Sequence, residues 1–388
     1  MAFRTQKTVF LLVSLIGLAP LFGQDPERAP VGETFLKSPQ ITAAVEAFQK
    51  QHKIPGISVA VSQNGKRVFD QGFGLSDVEN QVGATPETVY RTASIAKPLT
   101  AISVLQLAEQ GKIDLDEPIH QYCPEFPEME NGPTVRQLLC HQGGVRHYKN
   151  ALEPNGTRYY STLQDSLDLF VKDPLLAPPG TRFLYTTYGY SLLGRAVETV
   201  SGQSFDTYLQ EHVFDRANMK SAGLDNVYQI IPHRTRGYAT LGEQQHRRLP
   251  SIIRDKLKPG DVVNCKLHDT SMKIPGGGLI CSASDLVQLG NAMLNDKLLQ
   301  RATREKAWTP QSTHDGKATT YGLGWVVTQA DQSPRISHSG GQAGTATYLM
   351  ILPDQQAVIA IMANLQGAPC TRLARTLQNM IESAKSPK

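Results

Sequence analysis

The sequence predicts an α+β protein: one antiparallel sheet built from both ends of the chain and flanked by helices, with a mainly helical lobe inserted between the halves. Three observations point there. Near the start, Ile57, Val59 and Val61 alternate with small or polar residues. Asn64-Gly65 follows, and Val68 begins a return run toward Gly74, the pattern of a hairpin. Near the end, Thr345 to Leu352 and Ala357 to Ala363 flank Pro353-Asp354-Gln355-Gln356, a second hairpin. From Glu87 to about Ala222 helical patterns dominate, broken by Pro and Gly loops. Strands early, helices in the middle and strands late assemble most simply as a split sheet around an insertion, with the ligand pocket at the seam.

Taken in order, Ile41 to His52 reads as an amphipathic helix with Ala44, Val45 and Phe48 on one side. After the first hairpin, Leu99, Ile102, Leu105 and Ala108 recur at three-residue spacing, one face of a helix that Gly111 stops. Pro98 removes an early helical hydrogen bond, so the first turn is expected to be irregular. Breaks follow at 124–133, 142–144 and 177–180, and 228–273 is polar and irregular, an excursion over the pocket. Gly276-Gly277-Gly278 reads as close backbone packing rather than a phosphate loop, because no Lys-Ser/Thr pair follows it. A capped helix then runs to about Leu294, Gly322 to Thr328 and Ile336 to His338 read as strands, and Cys370 to Ser383 is a final helix. The sheet lobe is expected at about 40–90 and 270–388, and the helical lobe at about 91–269.

The 388 residues are 40% hydrophobic and 19% charged, enough for a sizeable core. A net charge of +4 without a basic run gives no nucleic-acid signature. Arg4 and Lys7 precede an apolar stretch from Thr8 to Phe22, the pattern of a signal peptide over 1–23, with 24–39 as a linker. Periplasmic or secreted localisation follows, with an uncleaved anchor as the alternative. The stretch is short for a stable membrane span. Cys123, Cys140, Cys265, Cys281 and Cys370 fit no zinc spacing, and no metal or cofactor motif is recognised.

Chemistry concentrates at Ser94-Ile95-Ala96-Lys97. A serine at a helix N-terminus feels the positive end of the dipole, and an amine one turn on can take its proton if burial lowers the amine's pKa. Two further pieces lie downstream: Tyr185-Thr186-Thr187 and His338-Ser339-Gly340-Gly341.

Taken together, these three pieces resemble the serine beta-lactamase and penicillin-binding protein superfamily, in its class C-like branch. They are most similar to the serine beta-lactamase-like proteins that are mitochondrial in animals. The resemblance spans roughly Gln40 to the C-terminus and is supported by 122–127, 144–148, 276–278 and Tyr321-Gly322-Leu323-Gly324-Trp325. It implies an acyl-enzyme on Ser94, with Lys97 and Tyr185 sharing the proton work. Tyr185 would act as a phenolate if a Lys97 ammonium lowered its pKa. The oxyanion hole would use the N–H groups of Ser94 and Gly341. Thr187, His338, Ser339 and Gly340 would meet the substrate, a small peptide, amide or ester. Thr187 and His338 stand where lactamases usually carry Asn and Lys. A single hydroxyl and a mostly neutral imidazole argue against an efficient beta-lactamase or cell-wall peptidase and fit esterase, amidase and peptidase relatives. If His338 receives a substrate carboxylate, binding should tighten below about pH 6.5. Arg146, His147 and Tyr148 either line the cleft mouth or cap the helix over 134–141. The alternatives are a weak beta-lactamase or D-amino peptidase, and a non-catalytic binding protein that self-assembles into oligomers or filaments, as animal relatives do.

Overall fold

The computed structural model describes residues 38–150, 152–330 and 333–385. The signal-peptide stretch and all but two residues of the linker lie outside them. Among the described residues no helix is long and apolar enough to cross a membrane.

Seven strands form the main sheet: β1 Gly56–Gln63, β2 Lys66–Asp77, β3 Val82–Gly83, β4 Val326–Ala330, β5 Ser333–Gln342, β6 Thr345–Leu352 and β7 Ala357–Ala363. Their order is β3-β2-β1-β7-β6-β5-β4, and every neighbouring pair is antiparallel. The two chain ends meet at the centre, where Ile57 pairs with Ala363 and Gln63 with Ala357. The β1–β2 turn works because Asn64 and Gly65 both take positive φ, 52° and 72°. The expected strand over Gly322 to Thr328 starts only at Val326. Gly324 turns the chain at φ +89°, and the Gly322 N–H bonds back to the Trp325 carbonyl at 2.8 Å.

Helices α1 Ser38–Gln51 and α5 Cys370–Lys385 cover one face of the sheet, as the sequence suggested. Ile41, Val45 and Phe48 pack there with Leu373, Leu377 and Ile381 against Ile57, Val59, Ile359 and Ile361. The other face meets the larger core, which holds α2 Ala96–Glu109, α3 Tyr188–Ser201 and α4 Ala283–Leu294. Ser282 and Asp285 form the capping box that starts α4.

Helix α2 departs from its expected one-sided pattern. Every residue from Ala96 to Leu107 is buried, so it is a central helix with no solvent face. Burial of Lys97 in that helix follows directly, and it decides the chemistry below.

Candidate active site

Ser94 sits on a 3-10 turn, Ala93–Ile95, that leads into α2. Pro98 has no N–H to return to the Ser94 carbonyl, which accounts for the irregular entry. Ala93 is held at φ +49°, a conformation that costs a non-glycine residue roughly 1–2 kcal/mol. The surroundings impose it. Thr92 N–H and Oγ1 both donate to the Leu279 carbonyl, at 2.8 and 3.0 Å, and Thr347 Oγ1 donates to the Thr92 carbonyl at 2.9 Å. The turn is thereby clamped between β6 and the short strand Leu279–Cys281.

Lys97 reaches back beneath Ser94. Its Nζ lies 3.2 Å from Ser94 Oγ and 3.2 Å from Thr187 Oγ1, and donates to the Gly276 carbonyl at 2.8 Å. Thr187 occupies the N-cap position of α3 yet makes no cap bond; its hydroxyl faces the amine instead. Gly276 comes this close because it lacks a side chain: a Cβ there would strike Thr187. Tyr185 completes the group: its hydroxyl is near enough to Ser94 for the serine to offset part of its pKa rise, and its ring centre is 4.9 Å from Lys97 Nζ. A buried His141 stacks on Tyr185 at 4.2 Å and accepts the Thr186 N–H at 3.2 Å, fixing the loop that carries the tyrosine.

Burial sets the protonation states. Lys97 is fully enclosed, which holds its pKa well below that of an ordinary lysine; the Lys273 ammonium adds to the effect. Burial pushes the Tyr185 phenol up to about 12, against the pull of Ser94. Burial therefore favours the uncharged amine at Lys97 and the uncharged phenol at Tyr185, where the resemblance implied a phenolate only if a Lys97 ammonium lowered the Tyr185 pKa.

The cleft has a volume of about 420 Å³ and is lined by Ser94, Tyr185, Thr187 and Gly341, with His147, Tyr148 and Lys273 opposite. A Cβ on Gly341 would project into open space. Arg146 does not belong to the lining. It is bound to Glu153 and Asp173, a structural role, while His147 and Tyr148 face the cleft.

The remaining strand residues differ from expectation. His338 is 2% exposed and does not line the cleft. Its Nδ1 lies 2.7 Å from the Ser339 carbonyl and its Nε2 2.8 Å from the Tyr321 hydroxyl, so one nitrogen donates and the other accepts. Burial pushes its pKa down to about 3, helped by the nearby Lys97. A carboxylate receptor needs an accessible cation, and His338 is neither. Gly340 is buried, and a Cβ there would strike Thr347, the Thr92 carbonyl and Ala93; its bareness lets β5 approach the nucleophile turn rather than the substrate. Ser339 is exposed on the same strand but outside the cavity lining. Sequence reasoning missed His141, Lys273 and the Gly276 carbonyl, none of which carries a motif signal of its own.

Comparison with known proteins agrees with this fold. The family model described as Beta-lactamase matches residues 41–379. The chain belongs to the beta-lactamase family. Within that family it is 30% identical over 395 residues to the human "Serine beta-lactamase-like protein LACTB, mitochondrial", covering 78% of this chain and 69% of that protein. It is 26% identical to "Penicillin-binding protein 4*" of Bacillus subtilis (strain 168), covering 84% and 72%. A penicillin-binding protein from Bacillus halodurans superposes with a TM-score of 0.72 at 25% identity, over 87% of this chain and 99% of that one. The D-amino acid amidase from Ochrobactrum anthropi SV3 shares the fold at a TM-score of 0.74 and 20% identity, over 89% and 100%. The superfamily is one of serine hydrolases.

Proposed function

We propose that this protein is a secreted serine hydrolase that forms an acyl-enzyme on Ser94 with a small peptide, amide or ester. The observation that carries the reading is the 3.2 Å approach of Lys97 Nζ to Ser94 Oγ, with burial favouring the amine's uncharged form. Ser94 Oγ attacks the carbonyl carbon while its proton passes to Lys97 Nζ. The N–H groups of Ser94 and Gly341 receive the oxyanion; such donors are worth roughly 3–4 kcal/mol each. Tyr185, protonated and beside Ser94, hands its proton to the leaving group and is reprotonated from Lys97. Water then attacks the acyl carbonyl with the same groups in reverse roles, releasing the acid and restoring Ser94. The names of relatives support this reading: one structural neighbour is titled a D-amino acid amidase and another "EstCE1, a hydrolase with promiscuous acyltransferase activity". Thr187 bonds Lys97 with its only hydroxyl, leaving less than an amide would offer a beta-lactam or D-Ala substrate.

The test is intact-protein mass spectrometry after incubation with a fluorophosphonate. Wild type should gain one adduct on Ser94 and Ser94→Ala none. A folded wild-type protein that stays unlabelled and hydrolyses no ester would make the scaffold a binding module instead.

A further inference from the structure

Among the described residues that line the cleft, Lys273 is the single charged one, and no carboxylate lines it at all. Lys273 is itself 3% exposed. Its Nζ donates to the Pro154 carbonyl at 3.2 Å and stands 5.8 Å from the Tyr148 ring centre. Among the described residues no acid lies within ion-pair distance of it. The acids that act on it electrostatically stand outside ion-pair range: Asp225 holds Arg91 at 2.7 Å and Arg234 at 3.3 Å, and Asp269 accepts from Ser271 with one oxygen while its other, Oδ2, is buried without a partner. A buried ammonium without a counter-ion is costly, and it is usually kept where an anion arrives.

A second observation is independent of the lysine. Gln342 follows Gly341 on β5 and also lines the cleft, and its side-chain Nε2 is buried with no acceptor. Buried donors lining one cavity call for a ligand rich in acceptors. At the position where related enzymes would place a cation, His338 is sealed off and neutral.

Resting on the Ser94 reading, we propose that Lys273, with Gln342, is the anion receptor of this cleft, so that the preferred esters and amides carry a carboxylate close to the scissile bond. Burial and the Arg91 guanidinium lower the Lys273 pKa to about 8, while Asp225 and Asp269 oppose them. The group therefore remains mostly cationic at pH 7. Seated beneath the Tyr148 ring with one donor spent on Pro154, it keeps two donors for a bidentate carboxylate.

The test compares two esters of equal chain length, 4-nitrophenyl hexanoate and the 4-nitrophenyl monoester of adipic acid. The readout is the ratio of kcat/KM for the charged ester to that for the neutral one. This ratio discriminates substrate charge whatever either variant does to the absolute rates. Wild type should favour the adipate ester. Lys273→Met should cut the ratio at least tenfold, mainly through KM. Lys273→Arg should keep most of it, and Gln342→Ala should cut it several-fold. If Lys273→Met does not fold, the Gln342→Ala and Lys273→Arg ratios decide. Turnover of both esters with a ratio that ignores these substitutions overturns the anion receptor and leaves the Ser94 mechanism standing. Turnover of neither ester, together with no fluorophosphonate adduct on Ser94, overturns the Ser94 mechanism, and the receptor role falls with it.

Discussion

Replacing His338 with glutamine should make the protein less sensitive to acid. Glutamine keeps an acceptor for the Tyr321 hydroxyl but cannot titrate. In the wild type, burial lowers the imidazole pKa from 6.5 to about 3. Between those values the unfolded chain binds a proton at this residue and the folded chain does not. Stability from this source is complete above pH 6.5 and is lost as pH falls toward 3. From pH 7.5 to pH 4 the loss amounts to ~3 kcal/mol, taking 1.36 kcal/mol per pH unit. His147 and His268, both pushed down to about 4 by burial, add acid sensitivity of the same sign. They remain in the variant, so they cancel in the comparison. The assay is urea unfolding of both proteins at pH 7.5, 6, 5 and 4. The wild type should lose ~3 kcal/mol more than His338→Gln over that range. Parallel curves, within about 0.5 kcal/mol of each other, would mean that His338 is accessible to protons in the folded state. The carboxylate-binding role read from the sequence would then return.

Three further outcomes test the site. Lys97→Arg puts a permanent cation where a free amine is needed, so kcat should fall by roughly 10²–10⁴, and the unfolding midpoint should fall as well because the larger charged group enters a fully enclosed site; a loss of less than tenfold in ester turnover by the folded variant would assign the base elsewhere. For the neutral hexanoate ester the wild-type kcat/KM should fall on acidification through the lowered Lys97 pKa and stay level up to pH 10, because Tyr185 titrates only near 12; for the adipate ester it should also decline above about pH 8 as Lys273 loses its charge, and an alkaline decline near pH 8 with the neutral ester would show that Lys273 takes part in the chemistry itself. Gly340→Ala drives a methyl into Thr347 and the Thr92 carbonyl, and should cost ~1–3 kcal/mol by chemical denaturation as well as most of the activity. Unchanged stability there would show that β5 does not brace the nucleophile turn.

Sequence alone determined the elements whose signals are local. The Asn64-Gly65 hairpin, the Thr345–Leu352 and Ala357–Ala363 strands and the Gly111 stop of α2 follow from turn chemistry and from short apolar runs bounded by turns. Spacing of three placed Lys97 below Ser94, because residues one helical turn apart share a face. The boundary at Gly324 was not legible, since a positive φ inside an apolar run leaves no pattern.

Tertiary structure decided everything that depends on burial and on contacts between distant residues. The Lys97 pKa is lowered because α2 is enclosed on all sides, which its three-residue spacing did not show. The Tyr185 phenol is held up near 12 for the same reason. Gly340 proved to serve the turn and not the substrate, and His338 turned inward to Tyr321. The cleft's cation came from Lys273, far along the chain and outside any motif. Desolvation and partner geometry set a pKa, and both are properties of the packed molecule; a string of residue types fixes which groups are available but not which of them meets water.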